Sequence, residues 1–336
     1  MKSLLRIYWF ASLATLAIWI LVGWQLGLAV LFTVFVLTLL EVTFSADNAV
    51  INSRVIMKMS PMWQKLFLTI GIFTAVFVVR FILPLVIVMI TSGLGWSEVT
   101  QLVTTDTAGY AAHLHQAEPM INAFGGTFLL MIALSYFIDN RKTLHWFRPL
   151  ERRLAKLGQF DNFTVFIMLV GIATIFFTVD PAHHAVVLPA MILAVTLHVG
   201  LKLLGAIMEN RQKSARNVNH LVGGAALSAF IYLEILDASF SLDSVIGAFA
   251  MTNNVLLIMA GLGAGALWVR GMTIHLVRQN TLKHFKFLEH GAHWAIAFLG
   301  GVMMAKLYSV ELPEWIIGSL GIIIITLALW WSQRDR

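Results

Sequence analysis

Two nine-residue strings carry the side chains of this sequence whose types and spacing can do chemistry. Leu40-Glu41-Val42-Thr43-Phe44-Ser45-Ala46-Asp47-Asn48 aligns without a gap to Leu236-Asp237-Ala238-Ser239-Phe240-Ser241-Leu242-Asp243-Ser244, so both read L-[DE]-x-[ST]-F-S-x-D-[NS]. Each gathers carboxylates with hydroxyl or amide oxygens in a short space. With Cys 0 in the chain and no His in either string, the donors are all oxygen. Such a set suits hard or borderline-hard divalent cations (Mn²⁺, Mg²⁺, Ca²⁺) over Zn²⁺ or Cu⁺. The expected metal ligands are Asp47 and Asp243 at the centre, with Asn48, Glu41, Asp237, Ser45, Ser241, Ser244 and Glu234 around them. No catalytic residue and no resident cofactor are expected, because the ion is the cargo.

The surroundings of these acids make them expensive. The chain has 336 residues, 59% hydrophobic and 12% charged, and a mean hydropathy of +0.83, which fits a polytopic membrane protein and no soluble core. Glu41, Asp47, Glu234, Asp237 and Asp243 all fall inside apolar stretches, where each costs about 2.5–3.5 kcal/mol at a bilayer centre. Lipid-facing placement is excluded. Intramembrane positive charge comes only from Arg80, Lys202 and Arg270, which leaves a formal excess of two negative charges that a divalent ion would cancel. Arg80 and Arg270 are the expected charge compensation. The plainer alternative is that they neutralise two acids while the others are protonated or wetted. At about 100° per residue, Glu41, Ser45, Asn48 and Asn52 form one stripe and Asp47 lies off it. Either the helix unwinds around Phe44 to Asn48, or the stripe and Asp47 face different neighbours.

A bilayer needs about 20 apolar residues per helix. Ten stretches qualify: 7–24, 26–52, 66–92, 121–138, 163–179, 185–208, 219–250, 254–276, 291–307 and 315–331. The first is too long an apolar run for a cleaved signal peptide and is expected to stay in the protein. Of the 23 Lys and Arg, all but Arg80, Lys202, Arg270 and Lys306 fall on one side of this path, so both termini are expected in the cytoplasm. The basic balance is therefore a topology signal and not a nucleic-acid footprint. Gly93 to Pro119, without Lys or Arg, is read as an amphipathic flap or a connector.

The strings belong to a longer repeat. Val79-Arg80 matches Val269-Arg270 in the next span, and Ala123-Phe124-Gly125-Gly126 matches Ala297-Phe298-Leu299-Gly300-Gly301 in the one after. The copies sit on spans two and seven, three and eight, four and nine. An offset of five crossings inverts one half against the other, a construction of secondary transporters with the site near the midplane. The expected fold is all-α, a 5+5 inverted repeat with halves 1–162 and 163–336.

Given these strings, with Tyr232-Leu233-Glu234-Ile235, Glu151-Arg152-Arg153-Leu154 and Leu288-Glu289-His290-Gly291-Ala292-His293, the sequence resembles the TerC family and its relatives in the LysE-type exporter superfamily. Within that neighbourhood it resembles a bacterial membrane family catalogued as domain of unknown function 475. The resemblance runs nearly end to end. It implies a multi-pass protein of the bacterial inner (plasma) membrane, linked to manganese efflux or tellurium resistance, with Asp47, Asn48 and Asp243 on the acidic motif positions.

The expected activity is export of a divalent cation, Mn²⁺ first, with proton influx as a natural coupling because closely spaced acids share protons. Partners are the ion and the lipid bilayer, and a homodimer is compatible with the sequence. Two rivals stand: a metal-dependent intramembrane enzyme, and a non-transporting membrane partner in metal delivery or tellurium resistance. His113, His115, His183 and His184 are read as solvated loop residues in preference to a metal-capture site. Glu289, His290 and His293 are read as an interfacial helix start in preference to a metal entry or proton relay, and His198 with Lys202 as a bundle lining. Trp9, Trp24, Trp96, Trp146, Trp315, Trp330 and Trp331 near span ends fit interfacial anchoring.

Overall fold

The computed structural model describes residues 2–71, 73, 74, 78, 80, 82–160, 162–215, 220–249, 251, 252, 254–278, 285–310 and 312–335. Among them the regular elements are all helical, with an isolated bridge between Met59 and Leu221. Five helices are long and apolar enough to cross a membrane, and two bent pairs raise the number to seven if each is one span. Large apolar side chains stand exposed along them, including Leu13, Leu16 and Ile20 in the first helix. Contiguous apolar surface on this scale fits lipid. The protein is a membrane protein.

By contacts the chain forms two compact units, Met1–Glu118 with Asn217–Thr281 and Pro119–Arg216 with Leu282–Arg336. They interleave the sequence halves 1–162 and 163–336.

In the first unit, α1 (Lys2–Leu26) ends at Gly27, whose φ of 87° only glycine adopts freely, and α2 (Leu28–Phe44) follows at once. The chain bends by 46° into α3 (Ala46–Ile56). After α4 (Pro61–Leu66) comes a π-helical turn, Phe67–Gly71. Within the expected span 66–92 the described residues 73, 74, 78, 80 and 82 are also helical, and α5 (Leu83–Ser92) carries Pro84 in its first turn. Gly93, at φ 74°, closes α5 in the left-handed conformation, and the chain turns by 113° into α6 (Trp96–Thr105). The Asp106 carboxylate accepts the Gly109 N–H at 2.9 Å and so caps α7 (Thr107–Gln116). The stretch 93–119 is accordingly helical, and α7 packs on α5 and α6.

The unit is completed by α12 (Gly223–Phe249) and α13 (Val255–Arg278), the latter packed along α1, α2 and α3. Gly261 and Gly265, four residues apart on α13, face α2. A Cβ on Gly261 would stand 3.2 Å from the Val34 carbonyl oxygen, and one on Gly265 would stand 2.8 Å from that of Thr38. Small residues at this spacing let membrane helices approach closely, and here they set the height of Glu41.

The second unit contains α8 (Glu118–Phe137), α9 (Arg148–Leu157), α10 (Phe163–Thr178), α11 (His184–Ala215), α14 (Leu288–Lys306) and α15 (Glu314–Arg334). A Cβ on Gly126 would lie 3.1 Å from the Gly300 carbonyl oxygen, and one on Gly300 would lie 3.1 Å from that of Gly126. The repeated glycine stretches therefore meet face to face.

Candidate functional site

Asp237 on α12 is the meeting point of the two strings. Its Oδ1 accepts hydrogen bonds from Asn48 Nδ2 at 2.5 Å and Asn52 Nδ2 at 2.9 Å. Both asparagines come from α3, one turn apart, so helical periodicity puts them on the same face. On α2, Glu41 is fully buried and forms an ion pair with Arg80, while Ser45 Oγ donates to Glu41 Oε1 at 2.6 Å. Arg80 and Glu41 also lie within electrostatic reach of Asp237.

These groups surround a cavity of about 40 Å³ lined by Ser45, Asn48, Asn52, Arg80, Asp237 and Arg270, with Phe67, Ala266, Val269 and Thr273. That volume takes one ion or a water or two. The stripe of Ser45, Asn48 and Asn52 thus faces one space, with Glu41 bonded at its rim. Asp47 is buried, but its Oδ1 accepts the Asn48 backbone N–H at 2.8 Å and it is absent from the lining. Of the two arrangements the sequence left open, the stripe and Asp47 do have different neighbours. No unwinding is needed: Ser45 bends the chain while its N–H still reaches the Glu41 carbonyl at 3.0 Å, and the Ala49 N–H reaches that of Ser45 at 3.2 Å.

Several oxygens here lack a donor. Glu41 Oε2, Asn48 Oδ1, Asn52 Oδ1 and both carboxylate oxygens of Glu234 are buried without a hydrogen-bond partner among the described residues. Glu234 sits one turn before Asp237, close enough for charge coupling, and packs against Gly71. Arg270 lines the cavity, and no acid pairs with it among the described residues. Ser241 and Ser244 are buried further along α12, and Ser244 Oγ donates to the Ser241 carbonyl at 3.0 Å. The side chain of Asp243 lies outside the described residues. No group of three or more His, Asp or Glu poised to hold a metal occurs among the described residues. Among the described residues the cavity offers one lining carboxylate, Asp237, with Glu41 bonded at its rim, and the amide and hydroxyl oxygens of Asn48, Asn52 and Ser45.

The match to protein families agrees with this arrangement in extent. The family model described as "Protein of unknown function (DUF475)" matches residues 46–336. The chain belongs to the DUF475 family. The matched region includes Asn48, Asn52, Arg80, Asp237 and Arg270, so the cavity lies largely inside the family domain, and Glu41 and Ser45 precede it. No curated protein and no solved structure matches the chain.

A second polar cluster, in the other unit, was missed as a unit by sequence reasoning. Glu151 on α9 is 1% exposed despite neighbouring Arg152 and Arg153. Its Oε2 accepts His290 Nδ1 and the Trp146 N–H, both at 2.9 Å, and its Oε1 accepts Trp294 Nε1 at 2.9 Å and the Phe147 N–H at 3.3 Å. Burial alone would raise this carboxyl, but the hydrogen bonds from His290, Trp294 and Trp146 outweigh it and hold the group below its ordinary value. His293 stacks on Tyr136 with ring centroids 3.6 Å apart, and the Lys142 ammonium sits over the same Tyr136 ring. The signal was present in the pairing of Glu151-Arg152-Arg153-Leu154 with Leu288-Glu289-His290, because a lone acid amid arginines on an amphipathic helix needs a reason to be there. The cluster is a staple between α9 and α14. His290 is therefore more than an interfacial helix start.

Two of the remaining histidines have local partners. His115 pairs with Glu118, and His184 Nε2 lies 2.9 Å from the Val179 carbonyl oxygen.

Proposed function

We propose that this protein is a carrier that exports a divalent metal cation, Mn²⁺ first, through the acid and amide cavity of the first unit. The observation that carries the reading is the set of buried oxygens without donors: Glu41 Oε2, Asn48 Oδ1 and Asn52 Oδ1. Both amide nitrogens are committed to Asp237, and their oxygens are left buried without a hydrogen-bond partner among the described residues. A buried acceptor left this way costs about 1–3 kcal/mol, and a cation would satisfy several at once. The charge points the same way. Against Arg80 and Arg270 stand four acids of α2, α3 and α12 with described side chains, Glu41, Asp47, Glu234 and Asp237, a formal residue of two negative charges suited to one divalent ion.

In this reading Arg80 holds Glu41 when the cavity is empty, which keeps the unloaded carrier neutral enough to change conformation. Ten spans in an inverted 5+5 repeat, with both termini in the cytoplasm of a bacterial inner membrane, are part of the proposal. What supports them is that equivalent parts of the repeat meet: the helices of the two strings through Asn48 and Asp237, Arg80 with Arg270 at one cavity, Gly126 with Gly300. Kinship with TerC-like and LysE-type exporters, the outward direction and proton coupling belong to the same proposal and rest on the sequence resemblance. In this reading Asp237 takes a central position, where the sequence had placed Asp47 and Asp243.

The intramembrane enzyme is disfavoured by size: about 40 Å³ admits an ion and not a substrate with its attacking water. Reconstituted vesicles decide between the carrier and the non-transporting partner. The carrier gives Mn²⁺ flux that Asp237→Asn abolishes. Tight Mn²⁺ binding without flux in the native protein would establish the partner role instead.

A further inference from the structure

The second unit contains a pocket that the carrier reading does not use. It has a volume of about 620 Å³ and lies between α8, α10 and α11, at the end bordered by Asp139, Asn140 and Arg141. Its polar lining includes Ser135, His198, Lys202 and Arg141, and its apolar wall includes Phe163, Val199 and Leu203.

His198 is 5% exposed, with the edge of Phe128 against its ring and Ser135 Oγ 3.3 Å from Nε2. With the Ser135 hydroxyl donating to Nε2, the ring proton sits on Nδ1. That buried Nδ1 has no hydrogen-bond partner among the described residues. One turn along the same face of α11 stands Lys202, whose charge acts on His198 and which no carboxylate neutralises among the described residues. An ammonium in this apolar helix calls for an anion, and in the tautomer whose Nε2 accepts from Ser135 the buried Nδ1–H does too. The space is much larger than an inorganic phosphate needs and lies in the usual range for a bulky ligand. Leu203 is 60% exposed and Val199 38%, so the wall is continuous with the apolar surface that meets lipid. Arg141 and the basic segment that follows it lie on the side that the Lys and Arg distribution assigns to the cytoplasm.

We propose that this pocket binds an anionic phospholipid, its phosphate held by Lys202 and His198 Nδ1 and its first acyl carbons laid along Phe163, Val199 and Leu203. At the mouth Arg141 pairs with Asp139, 3.9 Å apart, so Lys202 carries the net positive charge of the lining. The site is independent of the ion cavity.

The test is a thermal-shift and native mass spectrometry titration of the full chain in detergent. The probes are phosphatidylglycerol, phosphatidylcholine and inorganic phosphate. The native protein is expected to retain and be stabilised by phosphatidylglycerol, with phosphatidylcholine and inorganic phosphate without effect. Lys202→Gln should weaken phosphatidylglycerol about fivefold, the loss of one charge at a membrane surface, and Lys202→Arg should restore it. Lys202 is exposed, so neither variant should change the melting temperature without lipid. Ser135→Ala, which frees Nε2, should weaken binding less than Lys202→Gln does. Equal shifts with phosphatidylcholine, or unchanged selectivity in Lys202→Gln, overturn the site. An equal shift from inorganic phosphate makes it a soluble-anion site and overturns the lipid assignment.

Discussion

Replacing Gly265 by alanine tests whether the close approach of α13 to α2 positions the ion cavity. The added Cβ would lie 2.5 Å from Glu41 Cβ, 2.7 Å from Glu41 Cγ and 2.8 Å from the Thr38 carbonyl oxygen. Ordinary carbon–carbon contact begins near about 3.5 Å and carbon–oxygen contact near about 3.3 Å. The helices must therefore separate by roughly half to one ångström to reach those contact distances. Overpacking of this kind costs about 1–3 kcal/mol. It falls on the residue that pairs with Arg80 and accepts from Ser45 at 2.6 Å, a bond that cannot survive a shift of that size unstrained. Thermal unfolding in detergent should show Gly265→Ala melting several degrees below the native protein. Isothermal titration should show weaker Mn²⁺ binding. Gly171→Ala is the matched control, since a Cβ there meets nothing within 4 Å, and it should leave both readouts unchanged. If Gly265→Ala melts and binds like the native chain, the steric link between the glycine pair and Glu41 is wrong.

Other expectations follow from the same contacts. Asp237→Asn keeps an oxygen to accept from Asn48 and Asn52 but removes the charge, so Mn²⁺ affinity by titration should fall about 30-fold or more with the helical circular dichroism intact. Asp47→Asn should reduce affinity less than Asp237→Asn does, because Asp47 spends Oδ1 on the Asn48 N–H and does not line the cavity; a larger loss at Asp47 would return it to the centre. Glu151→Ala strands donors from His290, Trp294, Trp146 and Phe147, at about 1–3 kcal/mol for a buried unsatisfied group. Trypsin should then cut at Arg152 and Arg153 sooner than in the native protein. For pH, a carboxyl held below its unfolded value of 4.5 stabilises fully above that value, and the contribution disappears as pH falls through the lowered one. Hydrogen exchange in α9, corrected for intrinsic rate, should stay constant from neutral pH down to about 4.5 and rise below it; a rise near neutrality would contradict the Glu151 assignment.

What the sequence determined was class and chemistry. Composition required a membrane, and the cost of five acids in apolar stretches required an enclosed polar site. The Glu41, Ser45, Asn48 and Asn52 stripe was legible because helical periodicity is a local property, and Asn52 was visible there although it was not among the expected ligands. Tertiary structure decided which acid those residues meet. Asp237 lies 189 positions from Asn48, and nothing local distinguishes it from Asp243 as a partner. The arginines separated for the same reason: Arg80 has Glu41 in reach, whereas Arg270 faces the cavity without a described acid. Glu151 reads as one more charge in a basic loop until α9 docks and its four hydrogen bonds form. Burial and pairing depend on distances between remote segments, and only packing fixes those.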